Sequence, residues 1–145
     1  MTSIKTYVLN TKTREGYSHS IDTTVCDEET GATCLDMDEV YRVIGCDCID
    51  ITVRYIENKP FDFIVDDCGL LVEDPLVSAV DSHMAPMLAG NLIVCKVDGE
   101  TGSEIGLTDD EVALLERHTQ YAIRSDGHIL VLLTGVEYYP EEEEE

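Results

Sequence analysis

The stretch DEVYRVIGCDCIDITV, Asp38 to Val53, decides the fold, because a helical pattern ends and a strand pattern begins inside it. On the upstream side Asp36 is placed to cap a helix with Glu39 three residues later, and Met37, Val40, Tyr41 and Ile44 recur on one helical face. Gly45 suits the left-handed residue that stops such a helix. Downstream, Ile49, Ile51, Val53 and Tyr55 alternate with Asp50, Thr52 and Arg54, the two-residue period of a half-buried strand. Cys46 and Cys48 fall on the entry to that strand. A zinc site draws on Cys-x-x-Cys knuckles or closely spaced histidines, whereas His19, His83, His118 and His128 are scattered. The two thiols therefore read as small packing residues at a seam between two pieces of fold.

Outward from the seam, ENKP (Glu57 to Pro60) is a turn, and FDFIVDD alternates again with Phe61, Phe63 and Val65 on one side, which completes a hairpin. SIKTYVLN and YSHSIDTTVC, joined by the polar TKTREG, suggest another. Between Gly69 and Ala89, Pro75 and Pro86 punctuate the chain, so a loop with one helical turn is expected. NLIVCKV is a continuous apolar run suited to a buried strand. Thr108 and Glu111 then form a capping box, with Leu107 and Val112 at the two positions of a hydrophobic staple, and open a second helix expected to reach Thr119. HILVLLTGVEYY supplies a last strand within 128–139, and residues 141–145 are an acidic, solvated tail. Strands outnumber helices and connections are local. The expected class is α+β, a mainly antiparallel sheet with two short helices in a single domain over 1–140. Val40, Tyr41, Ile44, Ile51, Val53, Phe63, Leu92, Val94, Leu115 and Leu130 are its expected core.

Three of these segments, YRVIGCDCIDITVR, DDCGLLVEDPLVSAVDSHMAPMLAGNLIVCKVDG and GLTDDEVALLERH, resemble the bacterial and phage family catalogued as domain of unknown function 3846. The resemblance covers a core of 36–119, and Tyr121 to Glu145 extends past it. It implies no catalytic residue, since the family has no established activity. It does imply a context, the accessory cargo of phages and conjugative elements in Gram-positive gut bacteria.

Charge is the dominant global property: 31 acidic residues against 9 basic give −22, and removing Glu141 to Glu145 still leaves −17. Such a chain is repelled by nucleic-acid phosphates and anionic membranes and drawn to basic protein surfaces. No direct nucleic acid and no membrane are therefore expected as partners. The first twenty residues lack the apolar core of a signal peptide, no run reaches membrane-span length, and the six cysteines are single or C-x-C, so a cytoplasmic protein with reduced thiols is expected.

Charge and context together raise a specific expectation: a non-enzymatic inhibitor, of anti-CRISPR or antirestriction type, that occupies the basic groove of a host nuclease by mimicking nucleic acid. The candidate contact residues are Asp36, Asp38 and Glu39 at the first helix start, Asp62 and Asp66 on one strand face, and Asp109, Asp110 and Glu111 at the second helix start. Acids at helix starts are also stabilised by the macrodipole and by capping, without any partner. The alternative expectation is a small-ligand or regulatory module, with a pocket between the sheet and the loop from Gly69 to Gly90. VDDCG with Glu73 and Asp74 offers carboxylates for a cation but lacks the spacing of a calcium loop. Ser78, Asp81 and His83 are neighbours without a nucleophile elbow or oxyanion signature. No cofactor is expected.

Overall fold

The computed structural model describes residues 3–46, 48–67, 75–100 and 102–139. Its main sheet has the order β3-β2-β1-β8-β5-β4, with β9 added to β8. The strands are β1 (Ser3–Asn10), β2 (Glu15–Asp27), β3 (Ala32–Leu35), β4 (Ile49–Ile56), β5 (Lys59–Asp66), β8 (Leu92–Val97) and β9 (Glu104–Ile105). A smaller sheet has the order β10-β11-β6-β7, from β6 (Val77–Val80), β7 (Pro86–Ala89), β10 (Thr119–Ile123) and β11 (Ile129–Leu133). Every pairing of these strands is antiparallel except that of β6 with β11. With helices α1 (Met37–Ile44) and α2 (Asp109–Arg117), the chain is α+β and mainly antiparallel.

The main sheet separates two apolar cores. On one face Tyr7, Leu9, Phe61, Phe63, Leu92 and Val94 meet the small sheet (Ala79, Leu88, Val131, Leu133) and α2 (Val112, Leu114, Leu115). On the other face Val8, Ile21, Ile64 and Ile93 are covered by Leu35 and by Val40, Val43 and Ile44 of α1. Asn91 bridges this layer, accepting from Thr11 and donating to the Val43 carbonyl.

The seam holds as a structural feature at Cys46, whereas Cys48, expected to pack there as well, is exposed. Asp36 is the N-cap of α1, Gly45 ends it with φ 80°, and Cys46 packs against the α1-side core while its thiol donates to the Cys48 carbonyl at 3.2 Å. In the β4–β5 hairpin Glu57 and Asn58 take left-handed backbone, φ 50° and 65°, the geometry of a two-residue turn that matches strand twist. At α2 both halves of the capping box are present, and Leu107 and Val112 are buried together.

Several expectations are corrected. Ile51 and Val53 are 48% and 47% exposed. They point to the α1 face, but β4 is the edge strand and α1 covers only its beginning, around Ile49. Tyr41 and Leu130 are half-buried, Met37 is exposed, and Val43 takes its place on the buried face of α1. Glu39 does not close a capping box; it turns to His19 and Arg42. The second helix ends at Arg117, and Thr119 begins β10. The expected loop before Ala89 contains the hairpin β6–β7, and the last strand is confined to Ile129–Leu133. Glu73, Asp74 and the acidic tail lie outside the described residues.

Candidate functional site

Sheet register gathers most of the candidate carboxylates at one end of the main sheet. β1 and β8 run antiparallel with Tyr7 opposite Val94, so the start of β1 and the end of β8 share that end. β2 brings Asp22 back opposite Ser3, and the Asp36 amide donates to the Asp22 carbonyl at 2.8 Å, which places the start of α1 there. β1 and β8 part beyond this point and β9 enters: Leu107 N–H bonds the Lys5 carbonyl, and a Cβ on Gly106 would lie 3.0 Å from the Lys5 nitrogen. α2 therefore starts at the same end on the opposite face, with Lys5 2.5 Å from Asp109 and Lys96 2.9 Å from Glu111. Asp62, opposite Cys95, leans toward this end, whereas Asp66, one residue beyond the Val65–Leu92 pair, lies at the other.

The same end holds acids that local sequence patterns do not single out. The β2–β3 turn carries Asp27, Glu28 and Glu29, and the β8–β9 connection carries Asp98 and Glu100. β3 docks on β9 through Thr33 N–H to Ser103 Oγ (3.1 Å) and Leu35 N–H to a Glu104 carboxylate oxygen (2.6 Å). No lysine or arginine occurs from Glu15 to Tyr41 or from Val97 to Glu116. The β3–β9 contact thus joins two cation-free segments.

Their carboxylates divide by environment. Hydrogen bonds from Arg42 and then His19 hold Glu39 down to about 2. Lys5 lowers Asp109. Burial pushes Glu111 up, but the Thr108 amide and Lys96 outweigh it and the net shift is downward. Asp36 spends its side chain on the Asp38 amide. Asp38 and Asp110 are exposed. Asp62 is raised by burial; Glu104 is raised by burial and by the charge of Asp62, against the opposing Leu35 hydrogen bond.

Elsewhere a cavity of about 120 Å³ is lined by Tyr55, Glu57, Asn58, Ser82, His118, Gly135, Glu137 and Tyr139. His118 Nδ1 lies 2.8 Å from the Thr134 carbonyl and Nε2 2.8 Å from Glu57. Both ring nitrogens are thereby engaged, one by a backbone carbonyl and one by a carboxylate. Ser78 is buried in β6, and Asp81 accepts from the amides of His83 and Ala85, so that trio builds a turn rather than a nucleophile. Among the described residues no three His, Cys, Asp or Glu side chains converge as a metal site. No described helix is long and apolar enough to cross a membrane.

No curated protein and no solved structure matches the chain. A family profile does, over residues 7–120, so the family region begins in β1 rather than at Asp36. On that match, which spans most of the chain, the protein belongs to the family described as domain of unknown function DUF3846.

Proposed function

We propose that the protein is a non-enzymatic, acidic inhibitor from a phage or mobile element, working in the cytoplasm on a host nucleic-acid-handling defence enzyme of the anti-CRISPR or antirestriction kind. The acidic end of the main sheet occupies the enzyme's basic groove in place of nucleic acid. The observation that carries this reading is the union, through β3 and β9, of two long segments without a lysine or arginine. Alternate strand residues and successive helical turns space their side chains by several ångströms, comparable with backbone phosphates. Glu28, Glu29, Asp38, Glu100 and Asp110 are the exposed acids suited to meet the groove. Asp36, Glu39, Asp109 and Glu111 order the helix starts and contribute field rather than direct contact.

The test is capture from a host lysate at low and high salt, then competition between the chain and nucleic acid for the captured enzyme. Exposed contacts of this kind are screened over about 8–10 Å at physiological salt, so affinity should fall steeply with ionic strength. Reversing Glu28, Glu29 and Glu100 to Lys should weaken inhibition far more than trimming Glu141 to Glu145. An enzyme that keeps its nucleic acid while inhibited, or binding indifferent to salt, would exclude groove occupancy. A second reading, a small-ligand module, is favoured by the cavity beside His118. A ligand bound there should be lost on Tyr55→Ala while binding to a basic partner is retained.

A further inference from the structure

The β2–β3 hairpin holds two cysteines that the acidic surface does not need. Thr24 faces Cys34 and Val25 faces Thr33, then the register slips so that Asp27 faces Ala32. Cys26 is therefore the extra residue of a bulge, which takes its side chain out of the regular alternation. Its thiol donates to the Ala32 carbonyl at 3.4 Å. Cys34, opposite Thr24, lies diagonally across the ladder from Cys26, on the strand that the bulge faces, and the two thiols and the Glu104 carboxylate are near enough to influence one another. Cys26 is exposed and Cys34 half-buried, so a small reagent has a way in from one side. Cys95, by contrast, is sealed in the α1-side core, where burial pushes its thiol far up.

We propose that Cys26 and Cys34 form a reversible cross-strand disulfide by exchange with a low-molecular-weight disulfide such as oxidised glutathione. Cys26 gives up its proton to solvent and its thiolate attacks one sulfur of the reagent, breaking the S–S bond and releasing one glutathione thiolate, which takes up a proton. Cys34 then loses its proton and its sulfur attacks the Cys26 sulfur of the mixed disulfide, expelling the second glutathione. Two protein thiols are oxidised and one small disulfide is reduced to two thiols. Burial and the adjacent thiol keep Cys34 protonated, so the exposed Cys26 attacks and Cys34 resolves. The cross-link fixes the bulge beside the tip that carries Asp27, Glu28 and Glu29.

The experiment treats the native full chain with oxidised glutathione, blocks remaining thiols, and maps linkages by digestion without reduction. The expected main product is a peptide pair joined through Cys26 and Cys34, lighter by two hydrogens and restored by dithiothreitol. Cys34→Ser should trap glutathione on Cys26, and Cys26→Ser should slow uptake at Cys34 by on the order of tenfold, since access and thiolate character set the rate. Glutathione accumulating on Cys26 of the native chain without pairing, a main link between Cys46 and Cys48, or a link between two chains would each overturn the proposal. The native-chain map decides the matter even where a variant does not fold.

Discussion

Phe63 and Ile51 lie on the two strands of one hairpin, one residue out of register and on opposite faces, and the structure assigns them very different energetic weight. Phe63 on β5 has no exposed surface and sits between the two sheets. Ile51 on the edge strand β4 is 48% exposed, on the face that α1 does not cover at that point. Phe63→Ala removes a ring from a closed core and leaves a cavity, at about 3–5 kcal/mol. Ile51→Ala leaves a space that water fills, so only part of the transfer energy is lost, about 0.5–1 kcal/mol. With a urea m-value of ~2 kcal/mol/M for a domain this size, the midpoints should fall by about 1.5–2.5 M and 0.25–0.5 M respectively. The assay is equilibrium urea unfolding at neutral pH, followed by both far-UV circular dichroism and tyrosine fluorescence so that two-state behaviour is checked. Equal losses for the two variants, or a larger loss at Ile51, would mean that β4 is covered on both faces and that the assigned edge is wrong.

The remaining predictions concern carboxylates. Glu39 is lowered from an ordinary 4.5 to about 2, so its bonds to Arg42 and His19 stabilise the fold fully above 4.5 and lose that contribution as pH falls toward 2. Thermal midpoints of wild type and Glu39→Gln should differ at pH 6 and converge between pH 4.5 and 2; a difference that persists at pH 2 would assign the effect to packing. Asp62 is shifted the other way: its raised value means that the charged form costs stability, a cost absent below its ordinary 3.8 and growing as pH rises through the folded value. Asp62→Asn should therefore raise the urea midpoint at pH 7 and leave it unchanged at pH 3. A lower midpoint at pH 7 would show that the charge has a partner and is not merely desolvated.

What was legible in the sequence was local. The α2 start could be read because a capping box and a staple lie within six residues, and the β4–β5 hairpin because alternation resumes across a two-residue turn. The end of α2 was not, since His118 caps it in right-handed backbone with no glycine to mark the stop, and the pattern runs on into Thr119. β6 was hidden for a different reason: its pairing to β11 joins segments more than fifty residues apart, while Pro75 and Pro86 argue locally for a loop. Exposure of Ile51 and Val53 follows from sheet order, which alternation along one strand cannot encode. Site residues divide in the same way. Acids at both helix starts stand out as capping patterns, but their arrival at one end depends on β1–β8 register, and Glu104 belongs to a two-residue strand with no periodicity at all.

Local physics explains only part of the acidic end, and the remainder carries the functional argument. Helix starts favour Asp36, Asp38, Glu39, Asp109, Asp110 and Glu111 through capping and the macrodipole, whatever the protein does. Three cationic groups, Lys5, Arg42 and Lys96, are drawn to Glu39, Asp109 and Glu111, and His19 hydrogen-bonds Glu39, which removes much of the residual field at those positions. Turn formation accounts for Asp27 and Asp98, whose side chains accept from the Glu29 and Glu100 amides two residues on. Neither explanation reaches the side chains of Glu28, Glu29 and Glu100. Glycine, serine or lysine would serve the same turns, and lysine would relieve like-charge repulsion with the helix starts. The fold also carries Asp62 and Glu104 in part-buried positions that penalise their charge. A surface that accumulates charge against its own stability is the kind that a basic partner relieves. If so, reversing Glu28, Glu29 and Glu100 to Lys should raise the stability of the free chain at low salt and weaken its inhibition of the captured enzyme. A variant that loses both together would place these residues in the structure, and a variant that loses neither would remove the basic partner from the account.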